Sequence, residues 1–411
     1  MSENNPPGMQ DRSSQFLGGV SLTDIPTLLD FARRVKPDLA VIGPEEPLAA
    51  GVVDHLESAL GIPSFGPYQS HARIETSKSW ARTLIETAGI PGNPEFCVIR
   101  NPRDLLSYFR KLGEFVIKPD GLTGGKGVKL SGEHLESMSE AVDYATELIE
   151  NDGVVVVEER LDGEEFSLQT VTDGESVIHC PIVQDHKRAF EDDTGPNTGG
   201  MGSYSFPNHS LPFLAESDVA LAKSINEQVI SELYKRLGRP YRGVLYGGFM
   251  ATAKGVNLIE YNARFGDPEA MNILPILNGD VLEMCWGGAT GQLKEAHVAF
   301  KSLATVCKYV VPAAYPSGKG GGDQVDCRDL YPELGEDVRL YWAAVNRVDS
   351  VIRMTGSRAL AIVGTGPTVQ EAEAKAERAA CLVRGPVRHR SDIGTERLIA
   401  RRIEHMRKLR G

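Results

Sequence analysis

A glycine-rich stretch with two lysines is the first part of the sequence whose residue types could do chemistry. It follows a strand predicted at Glu114–Lys118 and reads Lys118-Pro-Asp-Gly-Leu-Thr-Gly-Gly-Lys126-Gly. Glycine lets successive backbone N–H groups approach an anion, and the two ammonium groups, eight residues apart, add positive charge. The stretch therefore predicts a phosphate-binding loop. A solvated tight turn would use the same residue types, and the register does not fit a Walker sequence.

Carboxylate, amide and guanidinium groups alternate near residue 260. The segment continues a strand predicted from Val256 and reads Glu260-Tyr-Asn262-Ala-Arg264-Phe-Gly-Asp267-Pro-Glu269. Alternate residues of a strand share a face, so the first three polar side chains are predicted to line up. Carboxylate and amide oxygens are hard ligands suited to Mg²⁺ or Mn²⁺, and an adjacent arginine suits a phosphate or a carboxylate. An exposed strand face with mixed charges is the alternative.

Two more polar segments could bind the rest of a nucleotide and a second substrate. Residues 158–165 (EERLDGEE) follow a predicted strand, where an adenine could lie along the backbone and a carboxylate could hold ribose hydroxyls; an acidic surface turn is the alternative. Residues 184–203 read as a long polar loop rich in glycine, and such loops in compact domains are usually functional or disordered. Together the four segments predict phosphoryl transfer from a nucleotide.

The elements that must position these segments fall into three regions. Residues 1–76 alternate helix and strand around the apolar run DLAVIG (38–43), which is typical of α/β structure with a parallel sheet. Residues 77–300 mix hairpins and helices, and residues 301–411 contain shorter strands followed by a helix. The predicted fold class is α/β plus α+β, in three domains with these limits. A basic C-terminal helix with Arg401 and Arg402 is predicted to present a solvated face.

Composition excludes several classes of protein. The 411 residues carry a net charge of −12, which argues against a general nucleic-acid binder because such proteins present a basic surface. No apolar run approaches the roughly 18 residues that span a bilayer, so no membrane contact is expected. The six cysteines have neither zinc-motif nor redox-motif spacing, so we expect reduced thiols in a cytoplasmic protein.

Five motifs resemble those of one known family. They read VIKPDGLTGGKGV, VVEERLDGEE, QDHKR, DTGPNTGGMGSYS and IEYNARFGDPE, and the likeness runs from about residue 20 to the C-terminus. These motifs resemble the phosphoribosylamine–glycine ligase (glycinamide ribonucleotide synthetase) family, which are ATP-grasp ligases of purine biosynthesis. The resemblance implies a truncated Rossmann-like pre-ATP-grasp domain at 1–76, an ATP-grasp domain at 77–300 and a small α+β domain at 301–411.

The resemblance also implies a reaction. ATP would phosphorylate the carboxylate of glycine, and the amine of 5-phosphoribosylamine would attack the acyl phosphate to give glycinamide ribonucleotide, ADP and phosphate. Mg²⁺ or Mn²⁺ would assist, and the protein would be a monomer or a weak homo-oligomer. Two alternatives stay open: an ATP-grasp carboxylate–amine ligase for a different acid, and a nucleotide-binding protein without turnover.

Individual residues take expected roles from the same resemblance. Contacts with ATP phosphates are implied for Lys78, Lys118, Gly124, Gly125 and Lys126, with adenine for Glu158 and Leu161, and with ribose for Glu165. The metal ligands would be Glu260 and Asn262. Arg264 and Asp267 would face glycine and the transferring phosphoryl group. The substrate cleft would be lined by Asp185, Lys187, Asn197, Gly199, Gly200 and Met201.

The start of the chain departs from the family pattern. The family opens with a strand, a glycine-rich turn and a helix, and these come before the residue that corresponds to Met1. Their absence predicts an N-terminal sheet with an exposed edge. It also suggests that Met1 is an internal methionine of a longer gene, which an in-frame stop codon directly upstream would refute.

Overall fold

The first region is an α/β unit. A computed structural model describes residues 4–124, 127–318 and 320–411 of the chain. The opening elements are α1 (Pro7–Arg12), α2 (Ile25–Val35), β1 (Ala40–Val41), α3 (Glu45–Ala49), α4 (Val52–Leu60), β2 (Ser64–Phe65) and α5 (Gln69–Thr76). Strands β1 and β2 pair in parallel, with Ala40 opposite Ser64. Asp24 caps α2, since its side chain accepts a hydrogen bond from Thr27 N.

A small antiparallel sheet forms the second unit. Its elements are α6 (Lys78–Ala88), β3 (Phe96–Ile99), α7 (Leu105–Leu112), β4 (Phe115–Pro119), β5 (Lys129–Leu130), α8 (Met138–Asp152) and β6 (Val155–Glu159). The strand order is β3-β6-β4-β5. Apolar side chains of α7 and α8 pack on the sheet, and the rings of Phe109 and Phe115 stack with centroids 4.2 Å apart. Because Glu158 pairs with Val116, Glu158 and Lys118 lie diagonally on one face.

A second antiparallel sheet of four strands contains longer strands than the first. This part of the chain contains β7 (Gly163–Thr172), β8 (Val177–His179), β9 (Gln184–Asp185), β10 (Arg188–Phe190), β11 (Thr194–Asn197), β12 (Gly202–Ser205), α9 (Glu216–Leu237), β13 (Gly243–Thr252) and β14 (Gly255–Asn262). Four of the strands form the sheet in the order β14-β13-β7-β8. Ala222, Ile225 and Val229 of α9 are buried in the core next to this sheet. The packing of α9 on the sheet holds β14, and therefore its polar end, in place.

The last region completes a sheet of six strands. Its elements are α10 (Ala270–Ile273), α11 (Val281–Thr290), β15 (Ala304–Pro312), β16 (Gln324–Val325), β17 (Val338–Trp342), β18 (Val345–Val348), β19 (Val351–Met354), β20 (Leu360–Gly366), α12 (Val369–Ala380), β21 (Val387–Arg388) and α13 (Glu396–Arg410). The sheet runs β17-β20-β15-β12-β9, with β21 pairing to β15. Short 3₁₀ helices lie at Pro102–Asp104, Glu191–Asp193, Leu274–Ile276, Glu295–Val298 and Tyr331–Glu333.

The polar segment 184–203 is not the long loop that was predicted. Strands β9 and β12 join the six-stranded sheet, and β10 and β11 form a hairpin between them. Gly195 and Gly200 adopt φ of +79° and +109°, a region that favours glycine, so the glycines shape the turns. The segment is therefore anchored at both ends by the sheet it shares with the last region.

The predicted fold class is confirmed, since α/β and α+β units both occur. The strand predicted at Glu114–Lys118 lies at Phe115–Pro119. The run DLAVIG contributes only Ala40–Val41 to a strand. The domain limits 1–76, 77–300 and 301–411 stay predictions. Among the described residues, none of the helices combines the length and the apolar character needed to cross a bilayer.

Candidate active site

A cleft of about 950 Å³ lies where the three regions meet. Its lining includes Lys118 of β4 and Glu260 of β14, so the two segments predicted to act on one nucleotide share a cleft. Glu45 and Glu75 of the first region and Arg358 of the last region also line it. The chemistry of the cleft therefore depends on how all three regions pack together.

The ammonium group of Lys118 belongs to a buried ion-pair network. Lys118 Nζ donates to Glu158 Oε2 at 2.7 Å and to Ile259 O at 3.0 Å. Arg82 Nε and Nη2 donate to the two oxygens of the same carboxylate, each at 2.7 Å. Within the described part of the chain, two of the three ammonium N–H groups of Lys118 have partners, which leaves one for a ligand in the cleft.

The network of Arg82, Lys118 and Glu158 is net positive. Burial lowers the pKa of Lys118, and the adjacent Glu158 charge opposes that change. Burial would raise the pKa of Glu158, but the positive charges of Arg82 and Lys118 lower it to about 2. Glu158 is thus an ionised carboxylate that pairs with both Arg82 and Lys118. Glu158 also lines the cleft, and its predicted place beside an adenine stays a prediction.

Lys78 sits at the start of α6 beside the glycine-rich loop. Its Nζ donates to Gly121 O at 2.9 Å, and its backbone N donates to Asp120 O at 3.1 Å. The side chain of Ser77 donates to Asp120 Oδ2 at 3.0 Å and caps the helix. These contacts tie one predicted phosphate-binding lysine to the loop that carries Gly124, which also lines the cleft. The predicted contacts of Gly125 and Lys126 lie outside the described residues.

Glu260 and Asn262 lie at the end of β14 and line the cleft together. Burial would raise the pKa of Glu260, but Lys187 and then Lys118 outweigh that effect and lower it. Glu260 is therefore ionised at neutral pH. An ionised carboxylate beside an amide oxygen is a donor set that fits a hard divalent cation. Their role as metal ligands stays a prediction.

Lys187 lies between Glu165, the predicted ribose contact, and Glu260, a predicted metal ligand. Lys187 Nζ lies 3.3 Å from Glu165 Oε2 and 3.8 Å from Glu260 Oε1. The charge of Glu165 raises the pKa of Lys187 against the lowering effect of burial. Leu161 lines the same end of the cleft. A cation held between these carboxylates is placed to contact an anionic ligand.

The guanidinium of Arg264 is held by carboxylates from the start of the chain. Arg264 Nε lies 3.3 Å from Glu45 Oε2, and Nη2 lies 3.2 Å from Glu75 Oε1. Nη1 donates to Phe265 O at 3.0 Å. Glu75 also accepts a hydrogen bond from Ala263 N at 2.7 Å. Three of the five N–H groups of Arg264 are used in this way, and the side chain still lines the cleft.

Glu75 is expected to make stability depend on pH. Burial, as the largest cause, raises its pKa from 4.5 to about 7, although Arg264 opposes the shift. Between these values the native state binds more protons than the unfolded state, so the contribution of Glu75 to stability falls as pH rises. Relative to wild type, Glu75→Gln should gain up to about 3 kcal/mol between pH 4.5 and pH 7. Urea unfolding at several pH values measures this change.

The matched control for that titration is Glu86→Gln, which changes an exposed glutamate of α6. Its stability difference from wild type should stay constant over the same pH range. A constant difference for Glu75→Gln as well would show that Glu75 does not titrate near neutrality.

Asp267 connects the cleft to the last region. Tyr309 Oη donates to Asp267 Oδ1 at 2.6 Å, and Arg358 Nη2 donates to Oδ2 at 2.8 Å. Arg358 Nη1 also donates to Gly199 O at 2.8 Å and to Gly200 O at 3.1 Å. One arginine of the last region therefore positions both Asp267 and the glycine turn of the polar segment.

Four of the predicted substrate-cleft residues lie in the lining: Asp185, Lys187, Asn197 and Gly199. Gly200 lies beside them, since a Cβ atom there would be 2.7 Å from Asp185 Oδ1. Burial, and then the charge of Glu269, raise the pKa of Asp185. Met201 is fully buried in the hydrophobic core and is not among the described residues that line the cleft, so its predicted contact with substrate stays a prediction.

The basic C-terminal helix has the predicted solvated face, with Arg401, Arg407 and Lys408 exposed, but Arg402 does not belong to it. Arg402 of α13 lines the cleft, contacts Asp193 through Nη2 and lies 3.1 Å from Glu164 Oε2 through Nη1. Arg390 also donates to Asp193, at 3.0 Å. The helix therefore anchors the turn between β10 and β11 and the start of β7. Basic residues of the last region therefore pair with Asp193 and Glu164 of the middle region, and composition alone does not reveal this pairing.

Three arginines of the site were not predicted from the sequence. Arg82 follows Lys78 by one helical turn, and that spacing could have identified it as a neighbour on the same helix face. Arg358 lies in the connection between β19 and β20, and Arg402 lies among other basic residues of a helix. Neither has a local pattern that sets it apart, since each acts through contacts more than 150 residues away.

Comparison with family models covers most of the chain. The N domain of phosphoribosylglycinamide synthetase matches residues 3–75, the ATP-grasp (A) domain matches 76–270, and the C domain matches 305–396.

Curated relatives match over nearly the full length. A phosphoribosylamine–glycine ligase of Methanothermobacter thermautotrophicus is 48% identical, over 99% of this chain and 93% of the relative. One from Methanopyrus kandleri is 46% identical, over 99% of this chain and 92% of the relative.

Solved structures share the architecture. The crystal structure of phosphoribosylamine–glycine ligase from Thermotoga maritima has a TM-score of 0.70 at 30% identity and covers 88% of each chain. The biotin carboxylase domain of Hydrogenobacter thermophilus 2-oxoglutarate carboxylase, solved with MgADP, has a TM-score of 0.69 at 15% identity. It covers 95% of this chain and 83% of its own, and this likeness shows the fold alone.

Proposed function

The chain belongs to the phosphoribosylglycinamide synthetase family, and we infer from this that it is an ATP-dependent ligase that joins glycine to 5-phosphoribosylamine. The products are glycinamide ribonucleotide, ADP and phosphate, in purine biosynthesis. The observation that carries this conclusion is the shared cleft, in which Lys118 and Glu260 come together from segments 142 residues apart (260 − 118).

The reaction makes clear demands on the cleft. A carboxylate oxygen of glycine attacks the γ-phosphorus of ATP, and the bond to the bridging oxygen breaks as ADP leaves. The amine nitrogen then attacks the carbonyl carbon of the acyl phosphate, phosphate leaves, and the amine loses a proton. Both steps need neutralised charge, aligned reactants and exclusion of water from the acyl phosphate.

The positive groups of the cleft are proposed to meet the phosphates. Lys118 presents one N–H from the network with Glu158 and Arg82, and Lys78 lies beside the glycine-rich loop. Both cations are fixed by contacts on the protein, so little rearrangement is needed when an anion binds. The ribose would lie near Glu165, and the adenine near Leu161 and the backbone of residues 158–160.

A divalent cation is proposed to bind Glu260 and Asn262, whose ionised carboxylate and amide oxygen suit Mg²⁺ or Mn²⁺. Such an ion would neutralise charge on the transferring phosphoryl group. Arg264 and Asp267 are proposed to orient glycine and the phosphoryl group. Both line the cleft, and each is held by an ion pair, Arg264 by Glu75 and Asp267 by Arg358. Asp185, Lys187 and Asn197 would line the amine site.

Glycine-dependent release of ADP tests the proposed function. The assay uses the purified full chain, MgATP and freshly made 5-phosphoribosylamine. We expect ADP release that requires both glycine and the amine. Release that requires another acid, such as bicarbonate, would indicate a different ligase of the same fold. Binding of ATP without any turnover would contradict the assignment.

Arg402 is expected to act as a positioning residue for substrates. Arg402→Ala removes the contacts of Arg402 with Asp193 and Glu164, while Arg401 and His405 keep theirs, so the polar hairpin should be held less firmly. We expect kcat/KM for 5-phosphoribosylamine to fall about tenfold, mainly through KM. This is about 1.4 kcal/mol, less than the roughly 2–5 kcal/mol that loss of one partner of a buried charge pair costs, because Arg401 and His405 keep part of the contact. Steady-state kinetics measure the split between kcat and KM.

Arg407→Ala is the matched control on the same helix. Arg407 is exposed and pairs only with Glu404 within the described residues, 3.3 Å away. This variant should keep wild-type kinetics, and Arg402→Lys should recover part of the loss. Equal kinetics for Arg402→Ala and Arg407→Ala would show that the helix does not position the hairpin.

Three finer predictions from the sequence stay proposals. They are the preference between Mg²⁺ and Mn²⁺, a monomeric or weakly associating state, and a cytoplasmic location. The division at residues 76 and 300 is proposed as well. It is supported by family models that match 3–75, 76–270 and 305–396.

A further inference from the structure

A second group of ligand-type side chains lies on the last region of the chain. Glu377 of α12, Cys381 directly after α12 and His389 after β21 each offer one ligand atom, and the three atoms lie within 4.8 Å of one another. None of the three lines the nucleotide cleft. We propose that Glu377, Cys381 and His389 form a zinc-binding site that joins the end of α12 to the segment after β21.

The separations of the ligand atoms fit a zinc ion. Cys381 Sγ lies 3.5 Å from Glu377 Oε1, and His389 Nε2 lies 3.1 Å from the same oxygen. A tetrahedral zinc ion with ordinary bond lengths holds its ligand atoms about 3.3–3.8 Å apart. Both measured separations are within a few tenths of an ångström of these values, and the third, between Cys381 Sγ and His389 Nε2, is at most 4.8 Å. Three protein ligands leave a fourth position for water.

The backbone brings the three residues together on fixed elements. Glu377 and Cys381 are one helical turn apart, and Cys381 N donates to Glu377 O at 3.1 Å, so both face the same side. His389 follows β21, which pairs with β15. Glu377 thus lies on a helix, and Cys381 and His389 each directly follow a helix or a strand, which favours a defined geometry.

A buried lysine orients the carboxylate. Lys308 Nζ donates to Glu377 Oε2 at 2.6 Å, to Glu373 Oε1 at 2.7 Å and to Ser391 O at 2.7 Å. Its side chain is fully buried. The contact occupies Oε2 and leaves Oε1 beside Cys381 Sγ, while His389 Nε2 lies 3.1 Å from Oε1 and 3.2 Å from Oε2. Hydrogen bonds of this kind to a ligand carboxylate are the usual support around a metal site.

The ligand chemistry favours zinc over the hard cation of the active site. A thiolate and an imidazole are soft or borderline donors, which bind Zn²⁺ far better than Mg²⁺. The third donor is a carboxylate oxygen of Glu377, which Zn²⁺ also accepts. Binding then requires Cys381 to lose its thiol proton, while the ring proton of His389 moves to Nδ1.

The single exposed cysteine gives a direct assay. Five of the six cysteines are buried and Cys381 alone is exposed, so a thiol reagent such as DTNB reports on Cys381 in the native protein. The experiment titrates ZnCl₂ into the full chain with excess MgADP, which occupies the nucleotide cleft. We expect one equivalent of Zn²⁺ to bind and to slow the DTNB reaction at least tenfold. CoCl₂ should produce a near-ultraviolet band from thiolate-to-cobalt charge transfer.

Variants separate the site from surface binding. Cys381→Ser should abolish the cobalt band, and His389→Ala should weaken Zn²⁺ binding at least tenfold. His55→Ala, which removes an exposed histidine of α4, is the matched control and should bind Zn²⁺ as wild type does. The proposal is overturned if Zn²⁺ leaves the DTNB rate unchanged, or if His389→Ala and His55→Ala bind Zn²⁺ equally well.

Discussion

Glu260→Ala is expected to abolish metal-dependent ligation while leaving the fold intact. Glu260 is an ionised carboxylate at the end of β14, beside Asn262 in the cleft. Even residues that only support a metal ligand cost about 10–100-fold in affinity or activity when changed, so loss of a direct ligand should cost more than about 100-fold. Glycine-dependent ADP release over a series of Mg²⁺ concentrations measures the loss.

Stability should change little in the same variant. Glu260 is partly exposed, and Lys187 keeps its closer contact with Glu165, so we expect a loss on the order of 1 kcal/mol or less. Asn257→Ala changes another polar residue of β14, outside the cleft lining, and should retain wild-type turnover. Wild-type activity in Glu260→Ala would remove the metal assignment.

Glu158→Ala is expected to have the largest effect on stability. Glu158 is the carboxylate shared by Arg82 and Lys118, and all three side chains are at most 7% exposed. Removing one partner of a buried network leaves uncompensated charge, which costs about 3–5 kcal/mol. The free energy of unfolding in urea should fall by this amount. The pKa of Lys118 should also fall further, because burial lowers it and Glu158 opposes that change.

The matched control removes an exposed pair near the same sheet. Glu95 contacts Lys111 with both side chains about half exposed, and Glu95→Ala should cost no more than about 1 kcal/mol. Glu158→Gln should fall between the two, since an amide accepts hydrogen bonds without carrying charge. If Glu158→Ala and Glu95→Ala are equally stable, the buried network does not support Lys118.

The sequence predicts the site residues that lie in local motifs better than the contacts between distant residues. Lys118 and Glu260 were found because each belongs to a local pattern, a strand followed by glycines and a strand with alternating polar residues. The contact of Glu158 with Arg82 was not predicted, because the two residues are 76 positions apart and meet only through packing. The ion pair of Glu158 with Lys118, 40 positions apart, was not predicted for the same reason.

The polar segment and the C-terminal helix show the same limit. Residues 184–203 read as a loop because glycine and polar residues dominate, but β9 and β12 take their hydrogen bonds from a sheet completed by β15. The basic residues of α13 read as a solvated face, although Arg402 has acidic partners across the molecule. In each case the structure depends on a contact with a segment far away in the sequence, so the neighbouring residues alone do not predict it.

A crystal structure with MnCl₂ and a non-hydrolysable ATP analogue tests the central claim most directly, since manganese is located by its anomalous signal. The expected result is a manganese peak about 2.1 Å from an oxygen of Glu260, with the analogue's phosphates contacting Lys118. A nucleotide bound away from Lys118, or manganese bound without Glu260, would contradict the account of one nucleotide held between these two segments.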